Sequence, residues 1–307
     1  GFIVVWMAYG TLAYAILYLP LALFAIEKYY ETKRFKFLFF LALTIPLSFF
    51  SGHFQISLYF TAGVILYTLF KAIITPHKRN TFYVILTAVF GLLLSLPQIL
   101  PSIELYRYAV RSELFQIGEA IPMQYLITVI APDFFGNPVT RNDWFGHYAE
   151  WAGFIGIWPT TLAIYAITKR NRTTLFFGVL GIGALLLSVN SPLASLLVSL
   201  EVPVISTSAL SRIIVLFSFS FAVLAAFGFD ELMREIREIR SIRSNKKTIT
   251  LFGLTGALFI IIWLLLFFSS LYPEEWLIVA KRTFILPTVL FFIGAITLSQ
   301  AFSVTLI

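Results

Sequence analysis

Apolar runs of about twenty residues follow one another along most of this chain, and the connections between them are mostly short. A helix needs roughly 20 apolar residues to cross the hydrocarbon core of a bilayer. By that rule the sequence contains about nine membrane-spanning segments. They lie near residues 4–26, 36–51, 55–74, 81–100, 151–168, 173–189, 209–229, 248–270 and 284–303. The predicted fold is all-α, a polytopic transmembrane helical bundle that forms one domain over residues 1–307.

The composition agrees with a chain that has lipid as its main solvent. Hydrophobic residues make up 59% of the chain and charged residues only 12%, against about 25% charged residues in soluble domains. The sequence has no Cys, which excludes disulfides and thiolate metal sites. The net charge of +7 does not indicate nucleic-acid binding, because basic residues of membrane proteins gather in cytoplasmic loops.

Basic residues are concentrated in every second connection. Sixteen of the 22 Lys and Arg residues lie there, and the positive-inside rule places those connections in the cytoplasm. The sequence therefore predicts an integral protein of the cell membrane whose long loop, residues 101–150, is extracytoplasmic. Most side chains able to do chemistry outside the basic connections fall in this loop.

The most basic connection is the segment 230–247. One helical face there carries Leu232, Met233, Ile236 and Ile239, and charged residues at i, i+4 spacing occupy the other. The segment is predicted to be either an amphipathic helix on anionic cytoplasmic lipid or a solvated extension of the seventh span. Neither alternative implies catalysis.

Glycines recur within two of the predicted spans and suit close approach of neighbouring helices. They are Gly178, Gly181 and Gly183 in one span, and Gly253 and Gly256 in another. Prolines inside the spans predict bent helices. The bundle is therefore expected to contain kinks and close helix contacts.

The turn between the second and third spans is the first candidate site. Its sequence is SGHFQ, residues 51–55. Ser and Gly suit a tight turn, whereas His53 and Gln55 are large polar side chains at a helix junction. These two residues are predicted either to bind a sugar or phosphate group or to hydrogen-bond the ends of the helices.

A second candidate site opens the long loop. If residues 101–111 are helical, Glu104, Arg107 and Arg111 share one face. Arg beside a bilayer surface can hold a lipid phosphate by paired hydrogen bonds, although the same residues fit a surface salt bridge. Arg212, at the outer end of the seventh span, can likewise reach a phosphate or snorkel to the interface.

The third candidate site lies between residues 131 and 150. Asp133 stands beside aromatic residues, as a sugar site requires, and can equally cap the local turn. Asp143, His147 and Glu150 would share one helical face and offer oxygen and nitrogen ligands. The sequence identifies no certain cofactor and leaves a divalent metal at these three residues open.

Several short motifs occur in a recognisable order. They are SGHFQ at 51–55, LPSIEL at 100–105, APDFFGN at 131–137, GFIG at 153–156, and Ser211-Arg212 ahead of an Ala-rich span. In this order they resemble the YfhO family of bacterial-type membrane proteins, within the GT-C class of polytopic glycosyltransferases. The resemblance covers roughly residues 45–232.

The resemblance implies an integral membrane glycosyltransferase. Such an enzyme takes a sugar from a polyprenyl-phosphate donor and transfers it to an extracytoplasmic glycan, glycolipid or protein. In this class a carboxylate of the first outer loop acts as the base. That loop would precede Gly1, so the chain is expected to be a fragment lacking its N-terminal part, and no catalytic residue is assigned.

The resemblance and the residue patterns together predict seven substrate-binding residues. They are His53, Gln55, Glu104, Arg107, Asp133, His147 and Arg212. A carboxylate would deprotonate the acceptor hydroxyl, while Arg212 or Arg107 stabilises the departing lipid phosphate. Membrane lipid is a further expected partner, and nucleic acid is not.

Two other functions remain open from the sequence. A transporter or flippase for lipid-linked sugar would use the outer loop as a gate, although transporters more often place polar residues at mid-membrane. A non-catalytic membrane scaffold would instead bind a partner glycosyltransferase. No phosphate-binding glycine loop, zincin helix or nucleophile elbow indicates a soluble catalytic class.

Overall fold

The computed structural model describes residues 1–110, 119–238, 246–268, 270 and 272–304. Within these ranges the chain is helical, with one isolated backbone pairing between Ile121 and Val189 and no strand. The α-helices are α1 (Phe2–Ala8), α2 (Leu12–Ile16), α3 (Leu19–Thr32), α4 (Lys36–Phe50), α5 (Phe54–Ile74), α6 (Lys78–Leu94), α7 (Leu96–Tyr108), α8 (Ile157–Thr168), α9 (Arg172–Ser188), α10 (Pro192–Ser199), α11 (Ile214–Glu238), α12 (Lys246–Phe268) and α13 (Glu274–Val304). The prediction of an all-α protein is confirmed.

Membrane-spanning helices are fewer than predicted in the part of the chain that the structure describes. Five stretches are long and apolar enough to cross a bilayer, namely 12–32, 54–74, 210–237, 250–268 and 274–298. A sixth is formed if α6 and α7, which meet at a bend of 63°, count as one broken span. The three remaining apolar helices, α4, α8 and α9, have 15, 12 and 17 residues. An integral membrane protein is therefore supported, whereas nine spans are not confirmed.

Two breaks in the helices account for differences from the predicted boundaries. The first predicted span, 4–26, is interrupted at Gly10, whose φ of 69° lies in the left-handed region that favours glycine. The predicted span 151–168 becomes helical only at Ile157, after Gly156 with φ of 109°. Hydropathy reports which residues avoid water, but it does not report where the backbone leaves the helical conformation.

The long connection is partly helical. Its first eight residues, 101–108, belong to α7, and Met123–Val129 form a 3-10 helix. Residues 130–151 are mostly turns and irregular backbone. Residues 111–118, which include the predicted site residue Arg111, lie outside the described ranges.

The chain divides into two compact units, although the sequence predicts one domain. Unit 1 comprises Gly1, 122–185 and 217–307, and unit 2 comprises 2–121 and 186–216. The core of unit 2 contains fully buried aliphatic and aromatic side chains from α3, α4 and α5, among them Ile26, Leu41 and Phe60. The core of unit 1 is centred on stacked rings of α12 and α13, with 5.1 Å between the centroids of Phe259 and Phe284.

Glycines control close packing in unit 1, but not at every position that the sequence suggests. A Cβ on Gly181 would lie 2.9 Å from the Phe221 ring, whereas a Cβ on Gly183 or Gly253 would meet none of the described residues within 4 Å. The closest approach to another backbone within unit 1 is at Gly228 of α11, where a Cβ would lie 2.0 Å from the carbonyl oxygen of Leu162 in α8. The prediction of close packing is thus wrong for Gly183 and Gly253.

The basic segment 230–247 begins as part of α11, which continues without interruption to Glu238. Leu232 and Glu235 are buried there, and Arg234 pairs with Glu231 at 2.7 Å. Residues 239–245 lie outside the described ranges, so the choice between the two predicted arrangements of the whole segment stays open.

Candidate functional site

A buried amide connects two distant predicted site residues in unit 2. Gln55 lies in the first turn of α5 and is buried. Its Nε2 donates to the Tyr59 hydroxyl at 2.8 Å and to the Ala209 carbonyl at 2.9 Å. Its Oε1 accepts a hydrogen bond from Arg212 Nη1 at 3.1 Å, across 157 residues of sequence. The amide nitrogen of Gln55 therefore donates two hydrogen bonds within the protein, and its amide oxygen accepts one.

Arg212 belongs to a 3-10 helix, Leu210–Ile213, that leads directly into α11. Its side chain is half-buried. A guanidinium carries five N–H donors in one plane, and the neutral amide of Gln55 orients one nitrogen without changing the charge. The neighbouring Ser211 is fully buried, and its hydroxyl has no hydrogen-bond partner among the described residues.

His53 has a structural contact at the start of the same helix. It is the N-cap of α5, and its Nδ1 accepts a hydrogen bond from the Ile56 backbone N–H at 3.3 Å. This bond satisfies one of the amide donors that a helix start leaves unpaired. Gly52, with φ of 86°, supplies the turn that precedes it. His53 and Gln55 thus hydrogen-bond helix ends, which is one of their two predicted roles.

The second predicted motif reaches the same segment of unit 2 through a residue that sequence reasoning did not assign to the site. The Tyr106 hydroxyl, in the last turns of α7, lies 2.9 Å from Thr207 Oγ1 and accepts from the Val204 backbone N–H at 3.2 Å. Glu104 and Arg107 are exposed on α7, and no ion pair joins them in the described structure. The α7 motif therefore contacts the 204–212 segment through its tyrosine rather than through the two predicted charges.

Asp133 occupies a separate aromatic region of unit 1. It accepts a hydrogen bond from the Tyr148 hydroxyl at 2.8 Å. Burial, together with this bond and the nearby carboxylate charge, raises the pKa of Tyr148 above its ordinary value. Nearby, Tyr125 and Phe135 stack with 5.0 Å between ring centroids. The carboxylate thus stands beside aromatic rings, as the sequence predicts.

The metal-binding arrangement predicted for this region is wrong in its geometry. Residues 142–150 form turns and irregular backbone rather than a helix, so Asp143, His147 and Glu150 do not share a helical face. Within the ranges that the structure describes, no group of three His, Asp or Glu side chains suits a metal ion. The exposed His147 instead packs edge-on against Trp151, with 5.0 Å between the ring centroids.

Replacing Tyr148 with Phe is expected to destabilise unit 1 by about 1.5 kcal/mol at neutral pH, because a hydrogen bond to a carboxylate is lost from a half-buried position. The raised pKa adds a pH dependence. Above the ordinary tyrosine pKa of 10.0 the unfolded chain ionises first, so the folded protein loses stability as pH rises. The variant should lack this part of the alkaline loss. Unfolding measured at neutral and alkaline pH tests both effects, and parallel pH profiles for the two proteins would contradict the second.

Tyr59 and the Ala209 carbonyl also belong to the unit 2 site but were not predicted. The i, i+4 spacing of Gln55 and Tyr59 on one helix was a usable signal for Tyr59, whereas a contact made by a backbone carbonyl cannot be read from the sequence.

Comparison with known protein families, characterised proteins and solved structures finds no match for this chain. The site is therefore defined by its own chemistry: a half-buried guanidinium, oriented by a buried amide, at the start of an apolar helix.

Proposed function

We propose that this chain is part of an integral membrane glycosyltransferase that uses a polyprenyl-phosphate sugar, with Arg212 as the residue that binds the donor phosphate. The observation that carries the proposal is the hydrogen bond between Arg212 and the buried Gln55. It joins two of the motifs on which the resemblance to the GT-C class depends.

The position of the pair along the helices supports a lipid phosphate as the ligand. Gln55 is in the first turn of the candidate span 54–74, and Arg212 is in the first turn of the candidate span 210–237. Helix ends of this kind lie at the level of the lipid headgroups. A polyprenyl phosphate places its isoprenoid chain in the hydrocarbon and its phosphate at that level.

The chemistry of Arg212 also suits this ligand. Its planar guanidinium can form two parallel hydrogen bonds to one phosphate, which a lysine cannot. Orientation by Gln55 fixes part of the side-chain geometry before the ligand arrives, which lowers the entropic cost of binding. The same cation stabilises the negative charge that grows on the phosphate during transfer.

The reaction proposed for the enzyme is a displacement at the sugar. A carboxylate takes the proton from the acceptor hydroxyl, whose oxygen attacks the anomeric carbon. The bond from that carbon to the phosphate oxygen breaks, and polyprenyl phosphate leaves with both bonding electrons. No residue of this chain is assigned as the base. Arg212 would bind the phosphate in the donor and stabilise it as the leaving group.

Replacing Arg212 with Ala is expected to weaken binding of polyprenyl phosphate by about 10- to 100-fold, the loss of a charged hydrogen-bond donor worth about 1.5–3 kcal/mol. Gln55→Glu should also weaken it, because a carboxylate beside the guanidinium neutralises its charge. Binding is measured on the full chain in phosphatidylcholine nanodiscs. Arg34→Ala, which removes an exposed arginine of the connection between α3 and α4, is the matched control.

Turnover is tested on the same proteins with a panel of polyprenyl-phosphate hexoses, by following release of polyprenyl phosphate. Normal donor affinity in Arg212→Ala would remove Arg212 from the proposed role. Movement of the lipid-linked sugar across vesicles without release of polyprenyl phosphate would favour a transporter instead of the enzyme.

A further inference from the structure

A second binding site is indicated by a cavity in unit 1, where the end of α8 lies beside the first turns of α12. Its volume is about 710 Å³, and it is a broadly open cleft rather than an enclosed cavity. That size is within the range of about 300–1,000 Å³ that is usual for sites of drug-sized molecules. The cavity is therefore larger than a single inorganic anion requires.

One wall of the cavity is apolar. It is formed by Ile164, Leu251 and Leu254. The Ile164 side chain is 40% exposed and Leu254 is 64% exposed. Leu254 and its neighbours belong to the candidate span 250–268, so this exposed apolar surface is expected to face lipid acyl chains rather than water.

The other wall is basic and lies at the helix ends. It contains Lys169 and Arg170, with the hydroxyls of Thr168 and Thr250 beside them. The positive-inside rule predicts that this connection is cytoplasmic, and anionic lipids produce a negative surface potential on that side. An apolar wall that leads to a basic mouth at the bilayer surface matches the shape and charge of a phospholipid.

The two cations of the mouth differ in how they are held. Lys169 is fixed by Glu235 and by Glu231, the latter at 3.3 Å, and its ammonium lies 4.7 Å from the centre of the Tyr165 ring. Burial lowers its pKa, but the hydrogen bonds with Glu235 and Tyr165 outweigh that effect and raise it overall, so Lys169 stays protonated. Two carboxylates therefore face its single positive charge and offset it, so the positive charge available at the mouth is mainly that of Arg170.

Arg170 has no such compensation in the described structure. Its side chain is exposed and takes part in none of the hydrogen bonds or ion pairs among the described residues. Its φ of 54° is in the left-handed region, which is unfavourable for a residue with a Cβ. Glycine would adopt this backbone conformation with less strain, yet the residue at this position of the cavity mouth is an arginine.

We propose that this cavity binds an anionic phospholipid of the cytoplasmic leaflet. Its phosphate would lie at Arg170 and Lys169, and an acyl chain would lie along Ile164, Leu251 and Leu254. The proposal is independent of the glycosyltransferase function, because it uses different residues and a different readout.

The experiment counts lipids retained by the full chain, using native mass spectrometry after extraction from vesicles of phosphatidylcholine with phosphatidylglycerol. Arg170→Gly should lower the affinity for phosphatidylglycerol by about fivefold, the equivalent of about 1 kcal/mol for one surface cation. Glycine tolerates the left-handed turn, so this variant removes the side chain without strain. Arg34→Ala, in a different basic connection, should leave retention unchanged.

Two further measurements separate a lipid from a free phosphate. Leu254→Ser should also reduce retention of phosphatidylglycerol, and inorganic phosphate should not displace the lipid. Equal retention of phosphatidylcholine, or unchanged retention in Arg170→Gly, would overturn the proposal. It would also be overturned if inorganic phosphate displaced the lipid while Leu254→Ser had no effect, since the site would then recognise phosphate alone.

Discussion

Replacing Gly228 with Ala is expected to destabilise unit 1 by about 2–3 kcal/mol, the upper part of the range for overpacking a close contact. The added Cβ would lie 2.0 Å from the Leu162 carbonyl oxygen and 2.8 Å from its carbonyl carbon. These are backbone atoms of α8, so a side-chain rotation cannot relieve the clash. Helices α8 and α11 would have to move apart, and buried contacts such as that of Tyr165 with Leu232 would loosen.

Gly253→Ala is the matched control for this prediction. It makes the same chemical change within a helix of the same unit, but no atom of the residues that the structure describes lies within 4 Å of the added Cβ. The substitution should be neutral or stabilise the protein by up to about 1 kcal/mol, because alanine favours the helix. Denaturant unfolding in detergent, followed by circular dichroism, compares the two variants. Equal stability of both would show that the α8–α11 contact does not depend on glycine.

Replacing Gln55 with Leu is expected to destabilise unit 2 by about 2 kcal/mol. Leucine has a similar volume, so little packing is lost. The buried Tyr59 hydroxyl would lose its hydrogen bond from Gln55, and the Ala209 carbonyl would keep only the bond from the Arg212 backbone N–H at 3.3 Å. Each buried polar group left unsatisfied costs about 1–3 kcal/mol. Arg212 is only half-buried, so its share of the loss is smaller.

Gln98→Leu provides the comparison for this second prediction. Gln98 lies in α7 of the same unit, is half-buried, and among the described residues its side chain donates one long hydrogen bond, of 3.5 Å, to Ser102. Its replacement should change the free energy of unfolding by less than about 0.5 kcal/mol, as at ordinary surface positions. The two variants are compared by denaturant unfolding. A similar small effect in both would mean that the Gln55 contacts contribute little to the fold.

The sequence predicts the helical class of the protein and the approximate position of its apolar helices, because both depend on local patterns of hydrophobicity. It overestimates the number of full spans. Helices α4, α8 and α9 follow apolar runs, but the lengths of 15, 12 and 17 residues are set by where the backbone turns. Those turns depend on single residues such as Gly156, whose φ is 109°.

The sequence singles out residues whose type is unusual for their place, and the structure brings two of them into contact. Gln55 and Arg212 are such residues, since each is a large polar side chain beside an apolar helix. Their contact across 157 residues is invisible in the sequence without the fold. The predicted metal site is an example of a pattern that misleads. Its three residues have helical spacing in the sequence, but the segment that contains them is not helical, so the spacing does not bring the side chains together; they are Asp143, His147 and Glu150.

An all-helical protein with apolar helices suited to a membrane, and the polar residues that stand out in it, can be predicted from the sequence, because helix periodicity and hydrophobicity are properties of short stretches. Tertiary structure alone decided which of those residues meet. The Ala209 carbonyl, the close approach at Gly228 and the basic mouth at Arg170 all depend on where separate helices lie in space. Such contacts are between backbone and side-chain atoms far apart in the chain, and no local pattern encodes them.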